Sequence, residues 1–456
     1  MARDQIDMTP LESRDELVAW LEAGVKPKSD FRIGTEHEKT PFTLEGHRPV
    51  PYEGARGIRA VLEGMQLLLG WEPIMENGNI IGLYDVTGGG AISLEPGGQF
   101  ELSGAPVETI HQTSSELMAH LAQVREVAAP LGIGFLGLGM TPSWSRKDIP
   151  VMPKGRYRIM TNYMPKVGQY GLDMMYRTCT VQTNLDFCSE TDMVKKLRVS
   201  VALQPVATAL FANSPFTEGK PNGFLSFRSE IWRDTDNARA GMIPWAFEDG
   251  MGFERWVDYA LDVPMYFVKR GDDYIDVSGS SFRDFFDGRN KIIPGEKPTL
   301  SDWANHLSTI FPEVRLKRYL EMRGSDNVPS QQLPSLPAFW VGLLYDDESL
   351  DAAWEIAKGW TAHERQVLRD DVPRLGLKAK IGNRYLSEVA KDCMALAHKG
   401  LARRHRLDSL GHDETRYLEP LDRIMDSGLT PAERLLEKFN GPWKHSVEPV
   451  YTEYAF

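Results

Sequence analysis

Ala91-Ile-Ser-Leu-Glu-Pro-Gly-Gly-Gln-Phe-Glu-Leu-Ser103 reads as two short strands on either side of a Pro-Gly-Gly break. Glu95 stands just before the break, and Gln99 and Glu101, two apart, share one face of the second strand. Working outward, 31–39 reads as another strand, in which Glu36 and Glu38 of Gly34-Thr-Glu-His-Glu-Lys39 point one way and His37 the other. A strand over 177–187 places Thr178, Thr180, Gln182, Asn184 and Asp186 on one face, with Cys179, Val181, Leu185 and Phe187 on the other. A fourth strand is predicted over 134–140.

Helices are predicted between these strands. Ser13 caps one over 13–21 with an acidic first turn, and others cover 58–69, 107–129 and 192–212. Beyond residue 348 the chain reads as mainly helical, with candidates at 349–360, 362–370, 387–404 and 431–439. No fixed-period repeat, low-complexity tract or long Gly/Ser linker divides it. The prediction is a single α+β catalytic unit over 1–456 with a helical flank after about 348.

Lys and Arg total 52 against 64 Asp and Glu, a formal net charge of -12, which argues against a nucleic-acid or anionic-membrane surface. The longest apolar runs fall far short of the ~20 residues that span a bilayer. Residues 1–8 lack the basic region and apolar stretch of a secretory signal and are too acidic for a transit peptide, so the expected location is cytoplasmic. Cys179, Cys188 and Cys393 show neither CxxC spacing nor an even number, and read as ordinary thiols.

Carboxylates gathered in one place repel one another, and burial raises their pKa unless a cation neutralises them. Oxygen-only ligands favour a hard ion such as magnesium, with substrate phosphate completing the shell. Taken alone, a Glu-x-Glu pair on a strand edge is commonplace. His37, on the opposite face, reads as a core histidine. A second group of segments joins arginine to aromatic residues: Lys154-Gly-Arg-Tyr157, Phe224-Leu-Ser-Phe-Arg-Ser-Glu-Ile-Trp232 and Tyr319-Leu-Glu-Met-Arg-Gly324. Guanidinium forks suit carboxylate and phosphoryl oxygens. If 319–324 is extended, Glu321 and Arg323 enter one cavity. Gly132-Ile-Gly-Phe-Leu-Gly137 matches G-x-G-x-x-G, but it follows a helix and reads as a strand, the reverse of a dinucleotide turn. No Walker A loop, nucleophile elbow or zinc helix is present.

Gly34-Thr-Glu-His-Glu-Lys39, Ser93-Leu-Glu-Pro-Gly-Gly-Gln-Phe-Glu-Leu-Ser-Gly104 and Tyr319-Leu-Glu-Met-Arg-Gly324 together resemble the plant and proteobacterial glutamate-cysteine ligases. The likeness continues through Pro153-Lys-Gly-Arg-Tyr157, Leu172-Asp-Met-Met175, 211–223 and 337–347. The resemblance implies a glutamine-synthetase-like fold, a curved antiparallel sheet lining the active site with helices around it. It implies that Glu36, Glu38, Glu95, Glu101 and Glu321 are metal ligands, for Mg2+ or in its place Mn2+. Arg228 and Trp232 would contact glutamate, and Tyr266 would border that pocket. Arg156 and Arg323 would meet phosphate and transition-state charge, with Gln182 and Asn184 on the nucleotide and metal side. Plant members carry regulatory cysteines where this chain has Ser114, Pro334, Val277 and Ile292, which implies that a disulfide switch is missing and favours a bacterial member.

The implied reaction is ATP-dependent joining of the glutamate γ-carboxylate to cysteine through γ-glutamyl phosphate, the first step of glutathione synthesis. Its partners would be glutamate, cysteine and ATP, with no nucleic acid and no membrane, and a homodimer is compatible with it. The alternatives are a ligase using another amine, a small-molecule kinase with the same metals and arginines, and a noncatalytic binding protein.

Overall fold

The computed structural model describes residues 7–456, so the reading made on residues 1–8 falls largely outside them. Nine strands form one antiparallel sheet: β1 (Ile33–Thr43), β2 (Glu72–Glu76), β3 (Asn79–Tyr84), β4 (Ala91–Leu94), β5 (Phe100–Ser103), β6 (Ile133–Leu136), β7 (Thr180–Leu185), β8 (Val314–Leu316) and β9 (Leu320–Asp326). Their order is β8-β9-β7-β1-β5-β4-β3-β2, with β6 on the far end of β1. β1 outruns the predicted 31–39 because it changes partners. Residues 33–39 pair with β5 and β7, and 40–43 continue against β6.

The Pro-Gly-Gly break turns β4 back onto β5. Gly98 takes φ +86°, which glycine adopts without the steric cost of a side chain, and its N–H donates to the Glu95 carbonyl. β7 starts later than predicted because Gly171–Arg177 is helical, and the Thr178 hydroxyl bonds back to the Met174 carbonyl. The predicted 107–129 helix begins only at Ile110, since Val107 is still paired with Ile33; Thr109 caps it and Gln112 completes a capping box. The G-x-G-x-x-G segment runs from a turn into β6, as its context predicted.

One face of the sheet is apolar and packs on helices. Val181, Leu185, Leu102 and Met322 join a core shared with Ile110–Ala128, Glu190–Leu210 and the wholly buried Ser335–Leu344. His37 lies on this face, fully buried edge-on to His120 at 5.6 Å, with a pKa pushed well below the usual value by burial and by Lys39. Lys39 points the same way. Its Nζ donates to the Phe100 carbonyl at 2.9 Å, and burial pulls its pKa down to about 7. The C-terminal part contains the helices Asp347–Ala357, Ala362–Leu375, Leu386–Arg404, Glu419–Ser427 and Pro431–Asn440. Among the described residues no helix is long and apolar enough to cross a membrane.

Candidate active site

The strand register decides which side chains share the other face. Glu38 stands opposite Glu101, which also faces Ser93, and Glu36 stands opposite Gln182. Asn184 stands opposite Gly34 on one side and Glu321 on the other. Directly paired residues point the same way, so acids from β1, β5 and β9 lie on one side of the sheet. A cleft on that side is walled by Glu38, Glu95, Gln182, Arg156, Arg228, Trp232 and Arg323, with Tyr157, Phe267 and Phe311 among its apolar surfaces.

The acids divide into two environments. Glu38, Glu95 and Glu101 form the first. Burial raises the Glu38 pKa well above the carboxylate range, and Glu95 and Glu101 add to this, partly offset by Arg228 and by the Thr180 N–H, which donates to Glu38 at 3.0 Å. Burial, Glu36 and Glu95 push Glu101 up to about 7, although it accepts a 2.6 Å hydrogen bond from Ser103. Glu36 accepts from the Asn184 amide at 2.9 Å. The second environment is Glu321, fully buried and surrounded by cations. Arg315 grips both of its oxygens at 2.7 and 2.8 Å, Arg323 donates to it at 2.7 Å, and Lys317 lies 3.3 Å away. Burial alone would raise its pKa, but Arg315, Lys317 and Arg323 hold it well below the carboxylate range.

The arginines are held from behind. Arg323 also donates to Gln182 at 2.9 Å, and its guanidinium lies 5.6 Å from the Phe311 ring centre. Arg228 belongs to the short helix Phe227–Ile231, capped by Ser226. Asp326 accepts from the Ser226 and Ser214 hydroxyls at 2.8 and 2.6 Å, and Ser214 in turn accepts the Arg228 N–H. Arg228 Nη2 donates to the Arg323 carbonyl, tying the two arginines together. Arg156 lies against Tyr157, whose hydroxyl donates to the Leu94 carbonyl beside Glu95. Arg228 Nη1, Arg156 Nε and Trp232 Nε1 are buried donors without an acceptor, which is expected of a site that receives oxygen anions.

Tyr266 is not on the cleft wall. Its hydroxyl donates to Asp236 and its ring lies 3.6 Å from the Arg239 guanidinium, so it is buried in a structural ion pair while its neighbour Phe267 lines the cleft. Gln99 is also structural, its amide donating to the Met175 and Thr178 carbonyls. Arg315 and Lys317 were not foreseen. Their signal was the alternation in Val314-Arg-Leu-Lys317, with both cations on one face immediately before the Glu321 strand.

Among the described residues, no group of three or more His, Cys, Asp or Glu side chains is arranged to hold a metal ion as it stands. The donor chemistry of Glu38, Glu95 and Glu101 nevertheless fits a hard divalent ion: oxygen only and mutually repulsive, with Glu38 and Glu101 raised in pKa by burial and their acidic neighbours. Glu321 does not share that deficit.

Residues 32–453 match the sequence profile of glutamate-cysteine ligase family 2. The chain belongs to that family. It is 58% identical over 444 residues to the chloroplastic glutamate–cysteine ligase of Nicotiana tabacum, covering 97% of this chain and 83% of that protein. It is 55% identical over 453 residues to the chloroplastic glutamate–cysteine ligase B of Oryza sativa subsp. japonica, covering 99% and 89%. Among solved structures, it is similar to the glutamate–cysteine ligase of Francisella tularensis in complex with AMP, with a TM-score of 0.56 at 14% identity, covering 93% of this chain and 89% of that one. That likeness is one of fold, and it agrees with the antiparallel α+β architecture expected of the family. The cytoplasmic location expected from the sequence is overturned by the family's chloroplastic members. Three free cysteines without a disulfide framework suit any reducing compartment, the plastid stroma included.

Proposed function

We propose that this protein joins the γ-carboxylate of L-glutamate to the amine of L-cysteine at the expense of ATP, giving γ-glutamylcysteine, ADP and phosphate. The observation that carries the reading is one cleft in which the carboxylates of Glu38 and Glu95, with Glu101 opposite Glu38 in the sheet behind them, share the walls with Arg156, Arg228 and Arg323. A metal-nucleotide on the acid side and an amino acid on the arginine side would satisfy both sets of charges. Family membership supports the same chemistry.

A carboxylate resists attack by an amine because oxide is a poor leaving group. Attack of the γ-carboxylate on the γ-phosphorus of ATP replaces that oxide with phosphate, and the cysteine amine then displaces the phosphate. Arg228 and Trp232 hold and orient the glutamate. Arg323, steadied by Glu321 and Gln182, meets the phosphoryl group in flight, and Arg156 meets the nucleotide phosphates from the opposite wall. Gln182 and Asn184 line the nucleotide side of the floor. Glu38, Glu95 and Glu101, with Glu36 beside them, would hold magnesium. When bound, magnesium offsets charge on the phosphate oxygens. Glu321 serves here by fixing Arg323.

The test is a product assay with purified protein, ATP, Mg2+, glutamate and a panel of amines. Mass detection of γ-glutamylcysteine, with ADP release requiring both amino acids, is the expected result. ADP released at full rate with glutamate alone would leave a kinase, and a product with another amine only would change the acceptor.

A further inference from the structure

Along β9 the pairing with β7 is interrupted between Met322, which faces Thr183, and Ser325, which faces Val181. Arg323 and Gly324 occupy the gap, so their backbone groups need partners from outside that ladder. Three separate segments supply them. The Arg323 N–H donates to the Glu313 carbonyl at 3.1 Å, and the Arg323 carbonyl accepts from Arg228. The Gly324 carbonyl accepts the Thr208 hydroxyl at 2.9 Å, in a bond buried from solvent. Glu313 is itself fixed, its carboxylate accepting Arg369 Nε at 2.8 Å.

Thr208 belongs to the helix Glu190–Leu210, which packs on the core side of the sheet. Over 199–210 the polar side chains of that helix are Ser200, Gln204 and Thr208, four apart and therefore on one stripe, and all three are buried. A threonine inside a helix ordinarily returns its hydroxyl to the carbonyl one turn back. This one reaches out to a strand. Gln204 lies against the same glycine: a Cβ on Gly324 would stand 2.7 Å from Gln204 Cγ and Nε2, and 2.7 Å from Glu313 Oε2. The helix thus holds the bulge by a hydrogen bond to the carbonyl and by close contact at the α-carbon. On the other side of the sheet, the same stretch of backbone presents Arg323 to the cleft.

We propose that Thr208 is a positioning residue for Arg323, acting through the Gly324 carbonyl, with Gln204 closing the space that glycine leaves. The inference rests on the phosphoryl-transfer role proposed for Arg323 above. A long side chain reaches the reacting atoms only from a fixed root, and a shift of about 1 Å can cost on the order of 10²-fold in rate. The helix therefore bears on the chemistry through the sheet, without a contact to substrate of its own.

The experiment is a double-mutant cycle on the rate of ADP release, with Thr208→Val and Thr208→Ser each made in wild type and in Arg323→Ala. Thr208→Val keeps the shape of the side chain and removes the donor. In wild type it should lower kcat by about tenfold, with KM for glutamate and ATP within about threefold. Thr208→Ser, which keeps the hydroxyl, should stay within about twofold of wild type, and in Arg323→Ala the Thr208→Val change should cost less than about twofold. Hydrogen exchange of peptides covering 320–326 reads the clamp without turnover, and should quicken in Thr208→Val but not in Thr208→Ser. Wild-type kcat in folded Thr208→Val, or an equal loss in the Arg323→Ala background, would overturn the assignment. If Thr208→Val does not fold, Gly324→Ala disturbs the same bulge from the strand side and is held to the same comparisons. A wild-type protein that releases ADP but makes no γ-glutamylcysteine would fail the ligase reading and leave the cycle intact. With no ADP release at all, unchanged exchange over 320–326 in Thr208→Val would still overturn the clamp.

Discussion

Arg315 and Glu321 meet fork to fork in the floor of the site, at 2.7 and 2.8 Å, with side chains 7% and 0% exposed. The remaining Arg315 nitrogen donates to the Ser308 and Ile310 carbonyls, so the pair has no freedom to rearrange. Removing one partner of a buried pair costs about 3 to 5 kcal/mol, whereas exposed pairs contribute about 0 to 1 kcal/mol. Arg315→Met should therefore lower thermal stability far more than Arg289→Ala, which loses only exposed partners. It should also lower turnover, because Glu321 would recruit Arg323 more deeply. Equal melting temperatures for the two variants would show that Arg315 is not a keystone.

Arg323→Ala leaves Glu321 with Arg315 and Lys317, so the fold should hold while the guanidinium proposed to meet the phosphoryl group is lost. Turnover should drop by about 10²- to 10³-fold, and Glu38→Gln should act on a similar scale through the metal-nucleotide side. ADP release at saturating substrates, read beside a melting curve, checks both. Wild-type turnover in either variant removes that residue from the mechanism.

Glu101, pushed up to about 7 by burial and its acidic neighbours, would set a pH dependence for the proposed magnesium binding. An ion on Glu101 must displace its proton, so binding should weaken as pH falls below about 7 and release protons on the way. Calorimetry in two buffers of different ionisation enthalpy at pH 6 and pH 8 measures this. Glu101→Gln should bind more weakly and lose most of the pH dependence; a variant with unaltered proton release would move the effect elsewhere.

Lys39 gives a stability signature of opposite origin. Its folded pKa of about 7 lies below the ordinary 10.5, so between those values the unfolded chain carries a proton that the folded chain does not. Stability from this group therefore rises with pH across that window. Lys39→Met should gain most over wild type near pH 7 or below, and its advantage should shrink toward pH 10. Melting curves for both proteins across this range decide it, and a constant difference would mean that Lys39 keeps its proton.

The three cysteines are free, with Cys179 and Cys393 buried and their thiol pKa values raised by burial. Activity should change by less than about twofold between reducing and mildly oxidising buffer. A large, reversible loss on adding thiol would show a disulfide control that Ser114, Pro334, Val277 and Ile292 cannot provide.

The acidic floor was legible because strand periodicity is local. Glu36 and Glu38 had to share a face once 33–43 was extended, and the Pro-Gly-Gly turn had to bring Glu95 near Glu101. Arg369, in the helix Ala362–Leu375, was not legible: it lies mid-helix, and only tertiary packing brings its guanidinium against Glu313 and the Ser229 carbonyl. Tyr266 shows the limit at single-residue scale. It sits just before the hairpin Phe267–Arg270 and Asp273–Asp276, and no periodicity told which of Tyr266 and Phe267 would turn toward the cleft. The two fates of the acids were also hidden, since the partners of Glu321 include Arg315 and Lys317 from another strand and the loop after it.

β9 has one residue more than β7 between the pairs Met322–Thr183 and Ser325–Val181. That surplus residue reverses the in-out alternation partway along the strand, so the odd-numbered Glu321 and the even-numbered Asp326 project from the same side. Asp326 can then brace the serines behind Arg228 while Glu321 braces Arg323. The strand works as a spacer gauge: cutting one residue from 323–324 would turn Asp326 into the apolar core, so single-residue deletions there should be far less tolerated than substitutions.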